Sequence, residues 1–340
     1  MKANWLIRRI GLAVATWFVA LFISYVLFEY APVNPINYIL SQLGMLGGGT
    51  SGVGGTGPAL MSRGNYEYIV QWASAFMIHG NPAVGFAKYI VNTFRGDWGW
   101  SVVYGLPVLT LIARYLPWTL FIVVSANLIA FFVGVYLGQY MAYHRGSTGD
   151  QAVTQFITVK RSIPVYIYAA LLVYFLGFEY HIFPTHGAYS GTPGFNLPFI
   201  ISVLYHAALP IFTLAFSSFG HWALSMRGNI ISVLGEDYVN YAEARGLPSS
   251  WIQRRYVGRN ALLPLYTGII IALGTSFGGA VFVETVFSYP GVGALFSSSL
   301  GNGDWALGMG ILLILILAVI LGMVIADLTY SLIDPRVRQG

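Results

Sequence analysis

The stretch "WALGMGILLILILAVILGMVIA", Trp305–Ala326, decides the class of fold. It fills the interval between Asp304 and Asp327 with 22 uncharged residues, nearly all Leu, Ile, Ala, Val, Met and Gly. About 20 residues of helix cross the apolar core of a bilayer, and an ionised group at its centre is expensive. A run of this length and purity is a membrane span. Moving outward with the same criterion, 24 uncharged residues separate Arg259 from Glu284, 17 separate Arg161 from Glu179, 30 separate Arg114 from Arg145 and 19 separate Arg9 from Glu29. The 47 residues between Glu179 and Arg227 are too many for one helix. Their first half contains "FPTHGAYSGTPGFNLP", a loop by its Pro and Gly density. One span follows it, over about 199–224. The expectation is an all-α membrane protein with six transmembrane helices.

Composition agrees: 56% of the 340 residues are hydrophobic and 9% charged, against about 25% charged in a soluble domain. Lys and Arg favour the cytoplasmic side. Six spans starting inside place Lys2, Arg8, Arg9, Arg145, Lys160, Arg161, Arg227, Arg245, Arg254, Arg255, Arg259, Arg336 and Arg338 there, leaving only Arg63, Lys88, Arg95 and Arg114 outside. Both termini are therefore expected to be cytoplasmic. The net charge of +5 then reflects topology and anionic lipid headgroups, with no nucleic-acid site required.

The basic start followed by an apolar run is read as a retained span, ended by "APVNP", rather than a cleaved signal. With no cysteine, disulfides and thiolate metal sites are excluded. Residues 31–114 then form an extracytoplasmic insert. "GMLGGGTSGVGGTG", Gly44–Gly57, has eight glycines and no Gly-Lys-Ser/Thr ending, so it reads as a flexible linker and not a phosphate loop. The segment Asn65–Phe94 has apolar residues at helical spacing with aromatic edges, suiting two short helices on the membrane surface or on the bundle. Residues 1–30 are the N-terminus and first span, and 115–340 a five-span core with a cytoplasmic loop over 228–262.

That loop is larger than a chain reversal needs, and it contains "DYVNYAEARGLPSS", Asp237–Ser250. Asp237 is placed to cap a helix, Tyr238 to Arg245 are good helix formers around Ala242 and Ala244, and Gly246 before Pro248 is a helix stop. Two turns are too short to be stable alone in water. The helix needs a surface, and Ala242, Ala244 and Gly246 would let a partner backbone come close.

"DYVNYAEARGL" followed by "RNALLP", Arg259–Pro264, resembles the coupling-loop motif of ABC importer permeases, in the form found in the dipeptide and oligopeptide branch. The resemblance runs nearly end to end: "RRIGLAVATWF" with "APVNP", "RGDWGWSVVYGLPV", "SIPVYIYAALL" with Ser162 and Pro164, "VETVFSYPGVG" and "DLTYSLIDPRVR" all match that branch. Two features depart from it: Glu243 stands where the motif often has a basic residue, and the Gly-rich insert is additional.

The resemblance implies a type I ABC importer permease fold and a role as the non-catalytic membrane subunit of an importer for peptides or oligosaccharides. It implies pairing with a homologous permease, two ATPase subunits that bind ATP and Mg, and an extracytoplasmic substrate-binding protein. In that scheme Asp237, Tyr238, Ala242, Glu243, Ala244, Arg245, Gly246 and Leu247 form the ATPase-coupling element. Ala242, Ala244 and Gly246 pack closely, Glu243 and Arg245 make polar contacts, and Leu247 is an apolar plug. Two other classes remain. An autonomous ion-coupled transporter would need carboxylates at the midplane, whereas Glu284 and Asp327 are expected towards span ends. A membrane enzyme would need a catalytic constellation. None of the six histidines forms a metalloprotease pair, and Ser217, Ser218 and Gly220 near His221 only loosely imitate a serine dyad.

Overall fold

The computed structural model describes residues 3–29 and 82–333. The Gly-rich segment 44–57, the first of the two expected short helices, and Lys2, Arg63, Asp334, Arg336 and Arg338 lie outside them. The main elements among the described residues are helices: α1 (Ala3–Glu29), α2 (Pro82–Arg95), α3 (Val108–Tyr143), α4 (Thr148–Arg161), α5 (Val165–Leu172), α6 (Leu197–Leu234), α7 (Asp237–Ala244), α8 (Arg259–Thr275), α9 (Phe277–Val286), α10 (Val292–Gly301) and α11 (Trp305–Ile333). π-helical segments continue α5 over Val173–Glu179 and lead into α8 over Ile252–Gly258.

Five of these are long and apolar enough to cross a membrane: Arg8–Leu27, Val108–Tyr143, Leu197–Leu234, Ser249–Thr275 and Trp305–Ile325. A sixth exists if Thr148–Arg161 and Val165–Glu179, bent by 92° at the intervening residues, count as one. The bend has a local cause. Pro164 disfavours the helical conformation at Ile163, and Pro164 itself sits at φ −59° and ψ 145° as the start of α5. The expected third span, between Arg161 and Glu179, is α5 with its π-helical continuation, joined at that bend to α4, and the expected fifth span breaks at Ser276 between α8 and α9.

Charges did not end the helices where the sequence suggested. α6 runs ten residues past 224, through Arg227, because that guanidinium is neutralised inside the protein. Its Nε and Nη2 donate to Asp150 Oδ1 and Oδ2, each at 2.7 Å, and Asp150 is buried. Asp150 also accepts from the Gly146 N–H, while its own N–H donates to Ser147 Oγ, the N-cap of α4. With Asp150 in the first turn and Lys160 and Arg161 in the last, α4 matches the helix dipole at both ends.

The residues divide into two compact units. One comprises 120–289 with 3–6 and 321–333; the other comprises 7–29, 82–119 and 290–320. In the first, α3 and α6 meet backbone to backbone. A Cβ at Gly134 would stand 2.5 Å from Trp222 Cβ and from Phe219 O, and one at Gly138 would stand 2.8 Å from Met226 Cβ. This is small-xxx-small packing, which lets helices approach where no hydrophobic effect drives them together. In the second unit α2 lies on α1 through aromatic contacts, Tyr25 to Phe86 and Tyr89 at 5.5 and 6.0 Å and Trp17 to Phe94 at 5.1 Å. There Asp304 caps α11: Oδ1 accepts from the Leu307 N–H, and Oδ2 takes a 2.5 Å bond from Ser101 Oγ. Burial raises the Asp304 carboxyl above the usual carboxylate range, opposed by those hydrogen bonds.

Candidate functional site

α7 follows α6 after Gly235 and Glu236. The capping residue is Glu236, in extended conformation at φ −79° and ψ 141°, and no side chain bonds the first turn. The expected cap, Asp237, is instead the first helical residue. Its carboxylate sits in the first turn, where it complements the positive end of the helix dipole without accepting a capping bond. The shift has a simple cause: the turn closing α6 at Gly235 and Glu236 places the Glu236 carbonyl as acceptor for the Val239 and Asn240 N–H groups.

The C-terminus follows the sequence expectation. Gly246 has φ +72°, its N–H donates to Glu243 O at 2.8 Å, and the Leu247 N–H donates to Ala242 O at 3.3 Å. This paired closure is the Schellman arrangement, in which a left-handed residue satisfies the last carbonyls. It stops the helix after two turns and points the chain into Pro248.

The inward face of α7 is Val239 and Ala242, one turn apart and buried at 1% and 3% exposure. They pack on the π-helical segment Ile252–Gly258, whose Ile252 and Val257 are also buried. Asn260 Nδ2 donates to Tyr238 Oη at 3.0 Å and ties α7 to the start of α8. Ala242, expected to admit a partner, is therefore closed against its own chain. The outward face carries Asp237, Tyr238, Glu243, Ala244, Arg245 and Gly246, with Leu247 half-buried at the edge. It also carries Tyr241, the most exposed aromatic of this region at 70%, which the sequence reading passed over. The signal was available, since Tyr238 and Tyr241 are three apart and share a helix face. Further along the chain Trp251 is exposed, with the Arg255 guanidinium 4.9 Å from its ring. The result is a short aromatic and charged ridge fixed on a buried apolar seam.

The other weighed groups are placed as follows. His206 bonds Ser190 Oγ and Ser202 O, and His186 bonds Thr185 Oγ1. Among the described residues no hydrogen bond joins His221 to Ser217 or Ser218. Glu284, expected near a span end, lies two residues before the end of α9 and is fully buried. Asp327 falls in α11, and its side chain is outside the described residues.

Residues 134–339 match the family model described as binding-protein-dependent transport system inner membrane component. The chain is 27% identical over 337 residues to the oligopeptide transport system permease protein AppB of Bacillus subtilis, covering 99% of each. It is 32% identical to a probable peptide ABC transporter permease protein, y4tP, of Sinorhizobium fredii, covering 75% of this chain and 80% of that one. To the probable D,D-dipeptide transport system permease protein DdpB of Escherichia coli it is 33% identical, over 76% and 80%. Among solved structures, a chain of the inward-facing MetNI methionine ABC transporter superposes with a TM-score of 0.53 at 16% identity, covering 66% of this chain and 96% of that one. That likeness establishes the fold, a type I ABC importer permease. A chain of apolar helices with a two-turn ridge between α6 and α8 thus belongs to the binding-protein-dependent transport system inner membrane components, as the non-catalytic permease subunit of an ABC importer that works with ATPase and substrate-binding partners.

Proposed function

We propose that this permease carries peptides inward and that α7 is the element by which an ATPase subunit drives it. Support for the cargo comes from the names of its relatives, an oligopeptide, a probable peptide and a D,D-dipeptide permease among them. Short oligosaccharides are the alternative cargo that the branch resemblance leaves. The chain pairs with a homologous permease over two ATPase subunits that hold ATP and Mg, and an extracytoplasmic binding protein delivers the cargo. Both termini are cytoplasmic, and the segment from residue 31 to the start of α3 is an extracytoplasmic insert, shorter than the expected 31–114 because α3 begins at Val108.

The observation that carries the coupling role is the shape of α7. A two-turn helix has little stability of its own, yet this one is closed by a full C-terminal hydrogen-bond pair and seated through Val239 and Ala242. Its other face is left outward with Tyr241, Glu243 and Arg245. Built this way, it transmits a push as a rigid piece. ATP-driven closure of the ATPase pair then shifts the permease between inward-open and outward-open states through its differential hold on α7 in the two.

The test is Gly246→Asp, which puts a branched anion on the exposed helix end. A Cβ there meets nothing within 4 Å, so the substitution reports on partner contact and backbone conformation. The variant should insert normally while losing co-purification with the ATPase and vanadate-sensitive uptake in vesicles. Normal ATPase retention and uptake would refute the assignment. Gly246→Ala should cost only about 1 kcal/mol, the strain of a left-handed alanine.

A further inference from the structure

The breaks in α4–α5 and in α8–α9 open onto one cavity of about 450 Å³. Its wall includes Ile163 and Pro164 from the 92° bend, Ser276 from the second break, Asn127 from the middle of α3 and Ser218 from the middle of α6. Polar groups at the midpoint of long apolar helices, beside interrupted helices, mark ligand sites in transport proteins.

Its charge is one-sided. Lys160 and Arg161 line it together with His221, and no Asp or Glu does. Lys160 is only 3% exposed. Its ammonium donates to the carbonyls of Phe216 and Ser217 on α6 and lies 4.1 and 5.0 Å from the rings of Phe219 and Phe216. Carbonyls and ring faces soften the cost of burial but leave the full charge in place. Among the described residues neither Lys160 nor Arg161 is in an ion pair. A tether between α4 and α6 is already supplied, complete with its carboxylate, by Asp150 and Arg227. Lys160 also ties α4 to α6 through those carbonyls, but unlike Arg227 it brings a charge that no carboxylate among the described residues balances.

We propose that this cavity is an oxyanion subsite, with Lys160 as its buried cation and Arg161 at its mouth, which takes the carboxylate of the cargo as it passes. The wall hydroxyls of Ser218 and Ser276 and the amide of Asn127 are suited to the remaining lone pairs, though Ser276 Oγ now donates to Ala272 O at 2.6 Å and lies 3.2 Å from Asn127 Oδ1. The cargo identity rests on the peptide reading above. The electrostatic character of the cavity does not.

The chain has no cysteine, so Ser218→Cys installs a single thiol on the wall. In the assembled importer in vesicles, its modification by the anionic sulfonatoethyl and the cationic trimethylammonioethyl methanethiosulfonates is followed by the intact mass of this chain. Each rate is normalised to that of a free thiol. The anionic reagent should be faster by about tenfold, the local enrichment a cleft of one charge sign gives. Lys160→Gln should bring the ratio near one and Lys160→Arg should restore it; if Lys160→Gln does not assemble, Arg161→Gln at the exposed mouth should still lower the ratio. Tri-alanine should protect the thiol and tri-alaninamide should not. Equal reagent rates, a ratio indifferent to both Lys160→Gln and Arg161→Gln, or equal protection by acid and amide would overturn the proposal. So would protection that follows the phosphatidylglycerol content of the vesicle, which assigns the charge to lipid phosphate. Vesicles that import no tri-alanine yet keep the anionic preference and the acid-dependent protection would remove the peptide reading and retain the subsite.

Discussion

Removing the Asp150 carboxylate strands a guanidinium. Arg227 would lose both of its bonds to Asp150 and the Gly146 N–H its acceptor, with Asp150 itself buried and Arg227 26% exposed. Breaking one side of such a pair costs about 3–5 kcal/mol, while replacing both partners by apolar groups is often neutral. Asp150→Ala should therefore lower the thermal stability of the purified chain sharply, and Asp150→Leu with Arg227→Met should recover most of it. Equal loss in the single and double variants would show that the pair is not what holds α4 to α6. Neither partner could be matched to the other from sequence, because they lie 77 positions apart. The residues legible beforehand were those whose meaning is local. Gly246 announces a left-handed stop by being Gly before Leu-Pro, whereas Asp237 misled because a good capping side chain one position late is simply a first-turn residue.

At the level of elements, the spacing of Gly134 and Gly138 is the most exacting feature of α3. Any side chain added there meets α6 backbone or Cβ atoms. Gly138→Leu should prevent native packing and Gly138→Ala should cost about 1–3 kcal/mol by overpacking, read as loss of monodisperse folded protein on extraction and as a lowered melting temperature. On α7, Tyr241→Ala should weaken ATPase binding by about tenfold, in the range of a modest interface anchor, with no change in the melting temperature of the isolated chain. An unchanged affinity would place the ATPase contact elsewhere on the ridge. The uncharged intervals found the apolar helices because desolvation of a charge is the strongest sequence-visible constraint. They gave wrong ends wherever the protein itself solvates the charge, as at Arg227, and they read α4 as connection because its amphipathic sequence carries Asp150, Lys160 and Arg161. The break at Ser276 leaves no gap in hydrophobicity, so counting charges could not reveal it, and the one before Pro164 fell at the Arg161 limit of the third interval without its 92° bend being readable there.

For the whole molecule, orientation is the expectation with the widest reach. Thr192 lies in the irregular segment between α5 and α6, and Ser250 lies beyond α7, both exposed. With single cysteines, Thr192→Cys should react with an impermeant thiol reagent in intact cells and Ser250→Cys only after the membrane is opened. The reverse pattern would invert the topology and move α7 away from any cytoplasmic motor. The native absence of cysteine makes the measurement clean.

The contact at Gly134 and Gly138 has a mechanical corollary. Two helices whose main chains touch cannot slide along one another without a collision at every turn, so α3 and α6 travel as one spar throughout a transport cycle. Whatever bending the cycle demands must then be taken up at joints where the ladder of amide bonds is already interrupted, at 162–164 and at Ser276, and stiffening those joints should slow turnover.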